Sequence, residues 1–192
     1  LVRQRIIWNI TVVNTFQRIS STVLITYFAP FLIIKYGFTT GETALPMGIV
    51  SFGLIIAAFI GGILGDSPLR LKAIPVGLLL SAVLGMYIFV FIPIPSFAIV
   101  LGLLYVTSIY FIFPLCITLF MTISGAKLRG TVMTLMPISN QTGIIIGPAV
   151  AGMALSFGGY EAIGMVCLGV GVVGAILTPL LLQERQIQKA TN

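Results

Sequence analysis

Histidine is absent from this chain, and only four acidic residues stand against ten basic ones in 192 positions. The first absence removes the commonest metal ligand and the side chain best suited to general-base work near neutral pH. Charged residues make up 7% of the sequence, where a soluble domain carries about a quarter. The two cysteines, Cys116 and Cys167, fall inside apolar runs, so they read as small packing residues rather than a disulfide scaffold. There is no Ser–His pair, no pair of intramembrane aspartates and no histidine-based metal site, so an intramembrane enzyme is not expected and no cofactor or metal is implied. The net charge of +6 does not point to nucleic acid, because the basic residues punctuate apolar runs instead of forming a patch.

What is present is apolar sequence, 58% of the chain. It divides into six runs long enough to cross a bilayer, at approximately 6–34, 44–65, 71–92, 97–123, 131–157 and 162–182. The expectation is an all-α polytopic membrane protein whose single domain occupies 1–192. Pro46 falls in the first turn of the second run, and Pro114 inside the fourth predicts a kink. Pro93-Ile94-Pro95-Ser96 and Gly158-Gly159 read as turns. Six passes put Arg3, Arg5, Arg70, Lys72, Lys127, Arg129, Arg185 and Lys189 on one side and only Lys35 on the other. That asymmetry places both termini in the cytoplasm. The chain begins at Leu1 without a signal-peptide pattern, so a piece of a longer protein is expected.

Small residues recur at four-residue spacing in the second run (Gly53, Ala57, Gly61, Gly65) and in the third (Gly77, Ser81, Gly85), which suits close helix approach. An internal repeat is faintly legible. Tyr27-Phe28-Ala29-Pro30-Phe31-Leu32 is echoed by Tyr110-Phe111-Ile112-Phe113-Pro114-Leu115, and Gly61-x-x-x-Gly65 by Gly143-x-x-x-Gly147. Because the fourth run is antiparallel to the first, this implies a 3+3 inverted repeat.

Arg18 is the most informative residue. It lies roughly 20 Å along the first helix from Arg5 and about 25 Å from Lys35, which is near mid-membrane. A charge there costs about 2.5–3.5 kcal/mol on insertion scales, and something must offset it. Asn14, Gln17, Arg18 and Ser21 share one side of the helix and form a polar stripe that faces a cavity. All four acids (Glu42, Asp66, Glu161, Glu184) sit at loops or helix ends. Three readings of Arg18 stay open: it awaits an anionic substrate, it pairs with a carboxylate elsewhere in the full protein, or it snorkels. No buried carboxylate is available for a proton relay, so a proton site lies outside this chain or the carrier exchanges or facilitates. Tyr105 reads either as cavity lining or as packing with a bonded hydroxyl. Asn140, in the cluster Ser139-Asn140-Gln141-Thr142, reads equally as helix glue or substrate contact.

Between the second and third runs stands Gly61-Gly62-Ile63-Leu64-Gly65-Asp66-Ser67-Pro68-Leu69-Arg70-Leu71-Lys72. Gly62, Asp66, Arg70 and Lys72 fit the pattern G-x-x-x-D-x-x-x-R-x-K, which resembles the loop motif of the major facilitator superfamily. Ser67 and Leu69 stand where that motif usually has a basic residue and a glycine. Gly143, Gly147, Pro148 and Gly152 resemble the glycine-proline motif of the superfamily's antiporters. The resemblance covers essentially the whole chain and implies one six-helix half of such a transporter, with the second half favoured. It further implies rocker-switch alternating access, with Asn14, Gln17, Arg18, Ser21, Tyr105 and Asn140 on the substrate path. Asp66, Arg70 and Lys72 then latch the cytoplasmic gate, and Gly147 with Pro148 shapes a bending helix. The partners it implies are a small-molecule substrate, the lipid bilayer and the missing six-helix half; the location is the membrane, in a bacterium the inner one. Arg18 leans the substrate towards an organic or inorganic anion. Efflux of hydrophobic compounds is the alternative within transport, and a stand-alone membrane scaffold or assembly protein the alternative outside it.

Overall fold

The computed structural model describes residues 2–91 and 94–182. Side-chain surroundings are described for these apart from 2–3, 125–129 and 131–133. Among the described residues helix is the only regular structure: α1 (Val2–Tyr36), α2 (Ala44–Gly65), α3 (Arg70–Val90), α4 (Pro95–Tyr110) and α5 (Ile112–Leu181). Five helical stretches are long and apolar enough to cross a membrane: Gln4–Tyr36, Ala44–Gly65, Arg70–Val90, Pro95–Ser124 and Thr134–Leu181. In hydrocarbon every backbone N–H and C=O must bond within the chain, which a helix achieves and a loop does not. Phe52, Phe59, Leu79, Phe97 and Phe157 are among the large apolar side chains left exposed, the outward surface of an integral membrane protein rather than of a soluble one.

The expected fourth run is a span built from two helices. The break falls at Phe111, which keeps helical dihedrals (φ −65, ψ −18), one turn before Pro114. Proline has no N–H and its ring crowds the carbonyl four residues back, here Tyr110, and that is where the helix gives way. The expected fifth and sixth runs belong to one assigned helix, α5, with Gly159 at φ 64. Only glycine adopts that backbone cheaply.

Contacts fix the directions. Gln17 reaches Ile109 and Ser20 reaches Tyr105, so α4 runs antiparallel to α1. A side-chain carbon added at Gly53 would meet the Leu103 carbonyl at 2.8 Å, and one at Gly65 would meet Thr118, so α2 lies parallel to α4 and the start of α5. Phe31 packs on Phe89, and α3 runs with α1. Phe113 and Asn140 both touch Arg18, although a straight helix would hold them about 40 Å apart. Gly143 abuts Arg18 and Gly174 abuts Phe16, where a straight helix would separate the glycines by about 46 Å. The chain therefore reverses twice within α5, the second time around Gly159. Its two later arms flank α1, the first parallel to it and the second antiparallel, with Asn9 bonding the Leu181 carbonyl at 2.8 Å.

The small-residue stripes of α2 and α3 are the faces that pack. Gly53, Ala57, Gly61 and Gly65 are buried, as are Gly77, Ser81 and Gly85. Before α2, Glu42 accepts hydrogen bonds from the Thr39 N–H at 2.7 Å and the Thr39 hydroxyl at 2.8 Å. These bonds, the backbone one foremost, hold its carboxyl below the ordinary value of 4.5. Of the cations used to orient the chain, the side chains of Arg3, Lys127 and Arg129, and all of Arg185 and Lys189, lie outside the described residues.

Two outcomes follow. Gly85→Leu destabilises by about 1–3 kcal/mol in a thermal unfolding assay, because a Cβ at Gly85 already meets Cys167 at 2.7 Å and Tyr105 at 2.9 Å. Gly62→Ala, with nothing within 4 Å, leaves the midpoint unchanged. The Thr39 turn is held at neutral pH and released as the pH falls through Glu42's lowered value. The Thr39 amide resonance in nanodiscs therefore titrates below pH 4.5 in the wild type and stays flat in Glu42→Gln.

Candidate functional site

The site is assembled on the polar stripe of α1. At 100° per residue, positions 14, 17, 18 and 21 fall within one face of the helix. The stripe sits where α4 and the middle of α5 converge on α1. Arg18 is half-buried, while Asn14, Gln17 and Ser21 are buried. Arg18 Nε donates to Asn140 Oδ1 at 3.1 Å, and the guanidinium lies over the rings of Tyr110 at 5.5 Å and Phe113 at 5.2 Å. No carboxylate takes part among the described residues.

The magnitudes settle how the cation is tolerated. A cation over a ring face gains about 0.5–2 kcal/mol, and a hydrogen bond to a charged group contributes about 1.5–3 kcal/mol. Two rings and one amide thus match the insertion cost of about 2.5–3.5 kcal/mol. Arg18 does not need an acid to be held in place. Its Nε is engaged, and its terminal N–H groups, which form the outer edge of the guanidinium, have no protein acceptor among the described residues.

Asn140 is fixed by the same bonds. Its Oδ1 accepts from Arg18 and also from Asn14 Nδ2 at 3.1 Å. Asn14 Nδ2 makes a second bond, to Ser139 Oγ at 2.6 Å, while the Ser139 hydroxyl donates to the Met136 carbonyl. Gln17 Nε2 donates to the Ile109 carbonyl at 3.1 Å. The carbonyl oxygens of both amides, Asn14 Oδ1 and Gln17 Oε1, are buried without a hydrogen-bond partner among the described residues. An orphaned buried acceptor typically costs about 1–3 kcal/mol.

The remaining residues expected on the substrate path are placed differently. Ser21 bonds back to the Arg18 carbonyl at 2.9 Å. Tyr105 is wholly buried and donates to the Ser20 carbonyl at 2.6 Å, locking α4 to α1 away from Arg18. Phe113 was not legible as a partner of Arg18; the aromatic run ending at Pro114 was its only signal. Tyr27, which donates to the Pro148 carbonyl at 2.9 Å, was likewise missed. Thr22 donates towards the Gly143 carbonyl at 3.2 Å, and Gly143 and Gly147 admit α1 closely, a Cβ at Gly143 falling 2.6 Å from Arg18 Cβ. Pro148 leaves the Ile144 carbonyl without its helical donor, so α1 hydroxyls staple the weakened stretch of α5 on both sides.

In the loop after α2, Asp66 is exposed and its backbone N–H bonds the Leu64 carbonyl. Ser67, rather than Asp66, accepts from the Leu69 N–H ahead of α3, at 3.2 Å. Gly62, Asp66 and Lys72 are exposed and Arg70 half-buried, and no ion pair joins Asp66 to Arg70 among the described residues. Separately, an apolar cavity of about 230 Å³ opens between α1, α2 and α4, lined by residues that include Leu24, Phe28, Met47 and Val106.

Residues 10–192 match the family model described as Major Facilitator Superfamily. No curated protein matches the chain.

Asn140→Leu strands both Arg18 Nε and Asn14 Nδ2, and lowers unfolding stability by about 1–3 kcal/mol. In a double-mutant cycle with Asn14→Leu the losses are not additive, because the two side chains share one bond. Additive losses would contradict the network.

Proposed function

Because the chain belongs to the Major Facilitator Superfamily, whose members are secondary transporters and not enzymes, we propose that it supplies six membrane crossings of a solute carrier that favours anions. The observation that carries the anion preference is the outer edge of Arg18. Its charge is held by Tyr110, Phe113 and Asn140 with no carboxylate among the described residues, and its terminal N–H groups have no acceptor there either. A fixed cation held by neutral groups at mid-membrane gives an incoming anion the partner it lacks there. Asn140 Nδ2 is the second donor, since Oδ1 already accepts two bonds.

In this reading the six crossings form a 3+3 inverted repeat and one half of the full transporter, the second half being favoured by the altered loop motif. The crossings are those of α1, α2 and α3, then α4 with the start of α5, then the two later arms of α5. Both termini are cytoplasmic, and the membrane in a bacterium is the inner one. The substrate path runs along Asn14, Gln17, Arg18, Ser21 and Asn140, with Tyr105 behind it as an anchor. The two halves rock about that path. Asp66, Arg70 and Lys72 are exposed or half-buried at the α2–α3 loop, where they can meet the other half as a gate latch. Gly143, Gly147, Pro148 and Gly152 let α5 bend while Thr22 and Tyr27 keep it seated on α1.

A second reading is supported by the apolar cavity beside Phe28: efflux of hydrophobic compounds, with Arg18 purely structural. The stand-alone scaffold has no comparable support, since the superfamily match covers nearly all of the chain.

Proteoliposomes of the full-length protein distinguish these. The anion reading expects uptake of carboxylates or phosphate esters, reduced tenfold or more by Arg18→Gln in protein that still folds. Unchanged uptake, or movement of lipophilic cations alone, assigns Arg18 a structural role and favours efflux.

A further inference from the structure

The orphaned carbonyls point to more than an anion. We propose that the ligand at Arg18 is an organic anion that also carries an O–H or N–H donor, which Asn14 Oδ1 and Gln17 Oε1 receive. The inference rests on the anion reading and narrows its substrate class.

Three observations carry it. First, neither amide can be turned to relieve its orphan. Asn14 Nδ2 bonds Ser139 Oγ and Asn140 Oδ1, and turning the amide would set its oxygen against Asn140 Oδ1, which already accepts from Arg18. Gln17 Nε2 is committed to the Ile109 carbonyl, and turning it would set two carbonyl oxygens together. Both residues are nine-tenths buried or more, yet their oxygens have no partner among the described residues. Second, the two positions lie one helical turn apart on the side of α1 that carries Arg18, with side-chain origins about 5–6 Å from one another. Third, the same two elements that cradle the cation hold the amides: α4 supplies Ile109 beside Tyr110, and α5 supplies Ser139 beside Asn140.

The site thus offers donors at one end, from Arg18 and Asn140, and acceptors at the other. A bare anion satisfies only the first. The oxygens are closed off in this arrangement, so the ligand's donor meets them as the helices adjust around it. A site built to accept a hydrogen bond rejects the analogue that lacks it far more strongly than an apolar pocket rejects a lost methylene.

The test uses the purified full-length protein and ligands sharing one skeleton: propionate, lactate and alanine, and propyl phosphate against glycerol 3-phosphate. Affinity is read from ligand-induced shifts in thermal unfolding. The expected result is that lactate or alanine binds at least tenfold more tightly than propionate, or glycerol 3-phosphate than propyl phosphate. Asn14→Leu and Gln17→Met are expected to erase that preference. Equal affinity across each set in the wild type, with binding lost in Arg18→Gln, overturns this inference and leaves the anion reading standing. Binding by none of the five overturns both. Preference that survives in the two amide variants assigns the donor to other residues and overturns the inference. Should a variant not fold, the wild-type comparison alone decides.

Discussion

A guanidinium placed inside an apolar helix bundle, with no acid within reach among the described residues, sets the terms for the structure around it. The charge of Arg18 is held by two ring faces and one amide oxygen, and these come from α4–α5 on one side and the middle of α5 on the other. Two separate passes of the chain must therefore meet α1 at one height. The requirement is geometric as much as electrostatic, since an amide or a ring face contributes only at contact distance.

That convergence depends on what the neighbouring helices lack. Gly143 and Gly147 carry no side chain where α5 crosses Arg18, Ile19 and Thr22, and a methyl at either position would collide with α1. The close approach lets Asn140, one turn earlier, reach Arg18 and Asn14. On the other side, the span that crosses the α4–α5 break brings Tyr110 and Phe113, one turn apart, to the guanidinium. Tyr105 and Gln17 then fix the height of α4 on α1 through bonds to backbone carbonyls. Packing, backbone breaks and charge placement are one problem solved at one level of the bundle.

Much of this was written in residue types. The apolar runs, the small-residue faces of α2 and α3 and the polar stripe of α1 are periodic patterns, and a pattern fixes which face a helix buries. The helix boundaries inside α5 were less legible. Between the runs 131–157 and 162–182 only a short glycine turn separates two apolar stretches, and Gly159 sits there at φ 64. The break at Phe111 was anticipated as a kink at Pro114 because a proline's effect falls on the preceding turn. Tyr110 and Phe113 were hidden as partners of Arg18 because aromatic residues fill every membrane helix and tertiary distance has no signature in spacing. For Tyr105 the residue type left cavity lining and packing both open, and in the structure its hydroxyl is satisfied by a backbone carbonyl. Amide orientation, and with it the orphaned oxygens of Asn14 and Gln17, emerges only once each neighbouring donor and acceptor has a position.

The central claim is that the edge of Arg18 faces a solute path and not lipid or packed protein. Cysteine accessibility measures this directly. With Cys116 and Cys167 replaced by Ala, Arg18→Cys in the full-length protein is exposed in sealed vesicles to a charged, membrane-impermeant methanethiosulfonate. The account predicts modification from water. An unreactive thiol at position 18, in protein that retains its fold, would contradict it.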